Sequence, residues 1–188
     1  MPELLKRYIT LNSSINAEKL DEVVSRFKAV KAKRGEVLLS QGEVCNRLYF
    51  VNKGCIRVFY LTEKGLERTR LFAFEGMLGT SLASFISQKP SFEYLDILED
   101  ADLLYITHTD FFALADTLPE WKDFYIRLLE FGYVFNNHAI ESLVTLSAKQ
   151  RYELLLAQSP RIVQRLPNKI VATYLDISPE ALSRLKSA

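Results

Sequence analysis

The sequence predicts an α+β chain: a β roll first, then one long helix, then a small all-α helix-turn-helix. Three observations predict it. From Val30 to about Thr107 the apolar residues alternate with a period of two, and glycine-bearing turns interrupt them often. From about Glu120 to Leu146 they step instead by three or four without a break. After Asn168, two short amphipathic stretches meet at Asp176-Ile177-Ser178. The expected boundaries are 1–118 for the roll with its helical cap, 119–147 for the long helix and 148–188 for the helix-turn-helix.

The first 30 residues read as a helical cap. Ile15, Leu20, Val23, Val24 and Phe27 recur at helical spacing, and Asn16 suits the N-cap of a helix through Ala17-Glu18-Lys19-Leu20. Six strands are then expected: Val37–Ser40, Leu48–Asn52, Ile56–Leu61, Glu67–Phe74, Phe92–Leu98 and Asp102–Thr107. Turn signals stand at Arg34-Gly35, Gln41-Gly42-Glu43, Asn52-Lys53-Gly54, Glu63-Lys64-Gly65 and Glu75-Gly76. Short strands punctuated in this way form a sandwich or barrel, and the aromatic and β-branched run Leu48-Tyr49-Phe50-Val51 agrees.

Thr109 or Asp110 is expected to cap a short helix that Leu118-Pro119 ends. In the long helix Trp121, Phe124, Leu128, Phe131, Phe135, Ala139 and Leu143 form the main apolar stripe, widened by Tyr125, Leu129, Gly132 and Ile140. So much aromatic surface needs a second partner besides the roll, and a second copy of the helix supplies one. The alternative is a helix folded wholly onto its own subunit. Ala148–Gln158 reads as a further amphipathic helix, and Arg161–Pro167 as the connection to the final pair.

In that pair, Ile170, Val171, Tyr174 and Leu175 share one face, and Leu182 and Leu185 begin another. Ser178 is a good N-cap, Pro179 is tolerated at the first helical position, and Glu180 lies where the helix dipole favours an acid. Glu180, Ser183 and Arg184 are left off the apolar face, so the second helix can enter a DNA major groove. The plain alternative is any two-helix corner.

Bulk properties fit this reading. With 188 residues, 48% hydrophobic and 25% charged, the chain is of folded, not disordered, composition. Net charge is only +1, but from Lys149 onward seven basic residues face three acidic ones. The surplus sits in the segment that would meet phosphate. No apolar run reaches bilayer length, no signal-peptide core opens the chain, and two cysteines, Cys45 and Cys55, make no disulfide framework. A cytoplasmic protein with no membrane partner is expected.

With these residues in hand, the chain resembles the Crp/Fnr family of bacterial transcription regulators from about Leu20 to Lys186. The resemblance rests on Lys33-Arg34-Gly35-Glu36-Val37-Leu38, Gln41-Gly42-Glu43 and Leu48-Tyr49-Phe50-Val51-Asn52-Lys53-Gly54-Cys55-Ile56-Arg57-Val58. It rests equally on Ile170-Val171-Ala172-Thr173-Tyr174-Leu175 and Ser178-Pro179-Glu180-Ala181-Leu182-Ser183-Arg184. It implies a double-stranded β-helix (jelly-roll) domain of the cyclic nucleotide-binding kind, a dimerisation helix and a DNA-reading head. The partners it implies are duplex DNA, a second copy of the chain and RNA polymerase.

In that family the second helix of the motif reads bases through a Glu and an Arg four residues apart, and Glu180 and Arg184 match. Arg can bond guanine O6 and N7 together, and Glu can accept from cytosine N4. The alternative for the two is an exposed ion pair within the helix. Ser178, Ser183, Lys186 and Lys169 are expected at phosphates.

Members that bind cyclic AMP carry a Gly-Glu and, ten residues beyond that Glu, an Arg. Aligned through Gly79, these positions hold Thr80 and Pro90, with Lys89 beside them. Proline offers neither charge nor N–H to a buried phosphate, so cyclic AMP is not expected in the usual mode. An iron–sulfur sensor of the Fnr type needs four thiolates, and two are present. Any effector pocket would be lined around Leu71, Phe72, Met77, Leu78, Gly79, Thr80, Ser81, Leu82, Lys89, Pro90, Ser91 and Tyr94, which suits an uncharged or weakly polar ligand, or none.

An enzyme is not expected. His108 and His138 are the only histidines and lie on separate elements, so a metal site of the cupin kind lacks ligands, and no phosphate loop or nucleophile elbow is present. The competing reading is a ligand- or protein-interaction module that has lost DNA binding. With Ala188 the last residue, the recognition helix is expected to be short, and Arg161–Pro167 leaves little room for a β wing.

Overall fold

A computed structural model describes residues 2–187. In chain order the elements begin with α1 (Glu3–Asn12), α2 (Ala17–Ser25), β1 (Lys28–Ala32), β2 (Val37–Leu39), β3 (Arg47–Leu61), β4 (Glu67–Ala73), β5 (Leu78–Gly79) and α3 (Leu82–Ser87). They continue with β6 (Glu93–Thr107), α4 (His108–Thr117), α5 (Pro119–Thr145), α6 (Ala148–Gln158), α7 (Pro160–Arg165), α8 (Asn168–Leu175) and α9 (Pro179–Ser187). Contacts group them into two compact units: residues up to Val58 with Phe72–Glu130, and Phe59–Leu71 with Phe131 onward.

The first unit is the roll. The sheet runs β1-β6-β3-β4, with β2 on β6 and β5 on β3, and the stretch Phe59–Leu71 from the end of β3 into β4 groups with the second unit. The pairings of β1 and β2 with β6 and of β5 with β3 are antiparallel, Val30 facing Leu103, Val37 facing Asp96 and Tyr49 facing Gly79. Leu48, Phe50, Ile56, Leu95, Ile97 and Leu103 are fully buried between the strands. The cap is stapled on by Leu5 and Ile9 of α1 and Val23 of α2, and Tyr8 packs its ring 5.5 Å from that of Phe50. Asn16 caps α2 as expected, its side chain accepting from the Lys19 N–H at 3.0 Å.

Two long strands replace four short ones. Leu48–Asn52 and Ile56–Leu61 are parts of β3, and Phe92–Leu98 and Asp102–Thr107 are covered by β6 apart from Phe92. Gly54 explains the first merger. It takes φ +96° inside the strand, so the chain kinks without leaving the ladder. A Cβ there would lie 2.8 Å from the Asp100 carbonyl oxygen and 2.9 Å from Ala101. The glycine is a close-approach site, not a turn.

Three short elements had no strong signal. β1 is a five-residue strand with one buried side chain, β5 has two residues, and α3 has six. Two boundaries also move. α4 is capped by Thr107, whose hydroxyl accepts from the Asp110 N–H at 3.1 Å, and not by Thr109 or Asp110. Arg161–Pro167 is not a bare connection: Pro160 at the first helical position starts α7.

Candidate nucleic-acid interface

In the second unit α6, α7, α8 and α9 bury Leu155, Ile162, Leu166, Val171, Leu175 and Leu182 together. α6 begins with a full capping box, Ser147 and Gln150 each satisfying the other's backbone N–H. α8 ends at Asp176 in the left-handed conformation (φ 52°, ψ 48°), and the N–H groups of Asp176 and Ile177 both donate to the Ala172 carbonyl. That closure turns the chain sharply into α9, where the Ser178 hydroxyl oxygen accepts from the Ala181 N–H at 3.1 Å.

The expected reading residues lie on exposed faces. Glu180, Ser183 and Arg184 are exposed on α9 and Lys169 on α8, while Leu182 is buried beneath. The Glu180 carboxyl is held below its ordinary pKa by its own backbone N–H, then by the Ser178 hydroxyl and then by the Arg184 charge. The Ser178 hydroxyl, just ahead of α9, is engaged as acceptor from the Ala181 N–H. Lys186 is exposed and donates to the Asn168 Oδ1 at 2.5 Å, so the end of α9 is tied to the start of α8. A polar contact not marked in the sequence is made by the start of β4: Thr69 bonds Thr173 hydroxyl to hydroxyl at 2.6 Å, and Arg68 Nε pairs with the Asp176 carboxylate.

Around the residues aligned with a nucleotide site, the buried hydroxyls are bonded within the roll. Thr80 is buried and donates to the Arg47 carbonyl at 3.0 Å, with Cys45 Sγ 3.2 Å away. Ser81 and Ser91 share a hydroxyl–hydroxyl bond of 2.9 Å, and Ser91 also bonds the Glu93 backbone on both sides. Lys89 and Pro90 are exposed. In the same roll the buried Arg57 guanidinium grips Asp96 with two bonds, 3.0 Å from Nε and 2.6 Å from Nη2. Phe72 and Gly79 are buried, Met77, Leu78, Leu82 and Tyr94 half-buried, and Leu71 belongs to the second unit. A groove of about 460 Å³ against Phe112, Ala115, Pro119, Lys122 and Tyr125 shares no residue with that set.

On α5 the expected stripe divides. Trp121 and Phe124 are buried within the first unit, stacked at 4.5 Å, with the indole N–H donating to the Phe111 carbonyl at 3.1 Å. They are core residues of the roll and not surface for a partner, because that indole needs its buried acceptor. Leu128, Phe135 and Ala139 are half-buried, and Phe131 and Leu143 exposed. A different stripe stands out: Ile126 (45% exposed), Tyr133 (72%) and Ile140 (59%) recur every seven residues, with Val144 (79%) four further on. A seven-residue apolar repeat is what a two-helix seam requires, and it was present in the sequence at those spacings.

Comparison with known proteins agrees with this fold. Residues 29–117 match the family model for the cyclic nucleotide-binding domain. The fumarate and nitrate reduction regulatory protein of Vibrio cholerae is 26% identical over 187 residues, covering 94% of this chain and 73% of that protein. The structure of FixK2 from Bradyrhizobium japonicum superposes with a TM-score of 0.75 at 15% identity, covering 86% of this chain and 83% of FixK2. The catabolite activator protein of Thermus thermophilus superposes with a TM-score of 0.62 at 23% identity, covering 93% and 83%.

Proposed function

The chain belongs to the Crp/Fnr family of bacterial transcription regulators, and from that premise we propose that two copies read a two-fold symmetric DNA site through α9. The observation that carries this is the exposed Glu180/Arg184 pair on a helix whose opposite face is anchored by buried Leu182. Residues four apart share one helical face, so both side chains reach one stretch of groove. Lys169, Ser183 and Lys186 lie on exposed positions from which phosphates are within reach, and they fix register, not sequence. Ser178 caps α9 and, exposed at its start, joins them at the phosphates.

The two copies pair along Ile126, Tyr133, Ile140 and Val144. Their reading helices then meet successive major-groove half-sites, roughly 34 Å apart as one turn of B-DNA demands. The roll does not take cyclic AMP in the family's usual mode. The positions for the ribose hydroxyl and the cyclic phosphate hold Thr80 and Pro90, and the hydroxyls of Thr80, Ser81 and Ser91 are bonded internally. An effector, if the chain uses one, is uncharged or weakly polar. A panel of metabolites and cyclic nucleotides in thermal-shift assays tests this: strong stabilisation by a cyclic nucleotide would overturn it.

Selection of bound duplexes from a random pool, at near-physiological salt, tests the main reading. The expected result is an enriched palindrome, with Arg184→Ala costing about 1–3 kcal/mol and relaxing preference at one base pair. Uniform weakening on all sequences would show that Arg184 touches phosphate alone, and no enrichment with or without cell extract would favour an interaction module that has given up DNA.

A further inference from the structure

We infer that the start of β4, just past the β3–β4 turn, is a latch on the helix-turn-helix, and that Arg68 and Thr69 are positioning residues for DNA reading. The inference rests on α9 being the reading helix. Residues Phe59–Leu71 group with the helices of the second unit and supply its only strand segments among the described residues. Two adjacent hairpin residues grip α8 at positions one turn apart, Thr173 and Asp176.

The Thr69–Thr173 bond has a fixed direction. Thr173 spends its single hydroxyl proton on the Ile170 carbonyl at 2.7 Å, so at 2.6 Å Thr69 must be the donor. Thr69 is buried, so this bond is shielded from water in a way that the half-exposed Arg68–Asp176 pair is not. The ion pair adds position instead. Asp176 is the residue that leaves the helical conformation, and α9 starts three residues later. Whatever holds Asp176 therefore holds the angle at which Glu180 and Arg184 are presented.

The test uses the full chain with Thr69→Val, Arg68→Met, both together, and Arg68→Met in an Asp176→Asn background. Asparagine keeps the preference for left-handed backbone while removing the charge. Amide exchange at Ile177–Leu182 is read without DNA, and affinity and its salt slope are read on the selected duplex. The double hairpin variant is expected to speed exchange and to weaken binding by about tenfold each, with the salt slope unchanged. Arg68→Met should add nothing once Asp176 is Asn. Unchanged exchange at the turn in the double variant overturns the latch. A salt slope lowered by about one shows that Arg68 contacts phosphate directly, and overturns its positioning role. Faster exchange with full affinity overturns the link to DNA reading. If the unmodified chain enriches no duplex, the DNA reading fails, and exchange still decides whether the latch exists.

Discussion

Arg151 of α6 closes the end of α8 from outside: its Nε and Nη2 donate to the Leu175 carbonyl at 3.1 and 3.0 Å, and its Nη1 to the Leu146 carbonyl at 2.7 Å. The last carbonyls of a helix have no partners within it, and a planar guanidinium serves one from two nitrogens where an ammonium would serve it from one. Arg151→Met should therefore lower the stability of the helical unit by about 1.5–3 kcal/mol, and Arg151→Lys by less. Denaturant titration followed by probes in both units would check this. Loss confined to the helical unit is the expected result, and an unchanged midpoint would count against the account.

Glu180 gives a pH dependence with a definite sign. Its folded pKa lies below the ordinary 4.5, so its stabilising contacts are complete above that value and are lost only as pH falls through the lower folded one. An acceptor for cytosine N4 must be ionised, so base preference at the Glu180 position should stay flat from roughly pH 8 to pH 5. Duplex selection at both ends of that range checks it. A preference that fades near pH 6 would mean that Glu180 is not the residue read out there.

Local signals were the legible ones. The caps at Asn16 and Ser178, the heptad-scale apolar content of α5 and the exposed Glu180/Arg184 pair depend on residues within a turn or two of each other. What the sequence concealed depends on distance along the chain. Gly54 reads as a turn until Asp100 and Ala101 are brought against it. Trp121 and Phe124 belong to the same stripe as Phe131 by spacing alone, and only the placement of Phe111 decides that they are core. The Thr69–Thr173 bond joins residues 104 apart, and neither threonine carries a local mark of it.

Gly54 also predicts a large effect from one methyl group. Alanine there must accept φ +96° and place Cβ within 2.8 Å of a backbone oxygen that belongs to a paired strand and cannot easily move. Gly54→Ala should cost more than about 2 kcal/mol, against about zero for a glycine in open, helical or extended backbone. Thermal unfolding of the variant measures it, and a change under half of that would show that the two strands can part at this point.

The proposed seam on α5 separates two kinds of apolar residue by what their loss does. Ile140 is exposed on the single chain, so Ile140→Asp should leave folding within about 0.5 kcal/mol and still abolish pairing, because the two-fold axis sets each new carboxylate against apolar surface or its own mate. Sedimentation should find the unmodified chain as a dimer and Ile140→Asp as a monomer at the same concentration, with dissociation at least about 100-fold easier. Trp121→Ala should do the opposite. It empties a fully buried site and removes the indole bond to the Phe111 carbonyl, costing about 3–5 kcal/mol of stability, while the molecules that remain folded pair normally. If Trp121→Ala dissociates the dimer and Ile140→Asp does not, the seam follows Trp121, Phe124 and Leu128, and the seven-residue stripe faces something other than a second copy.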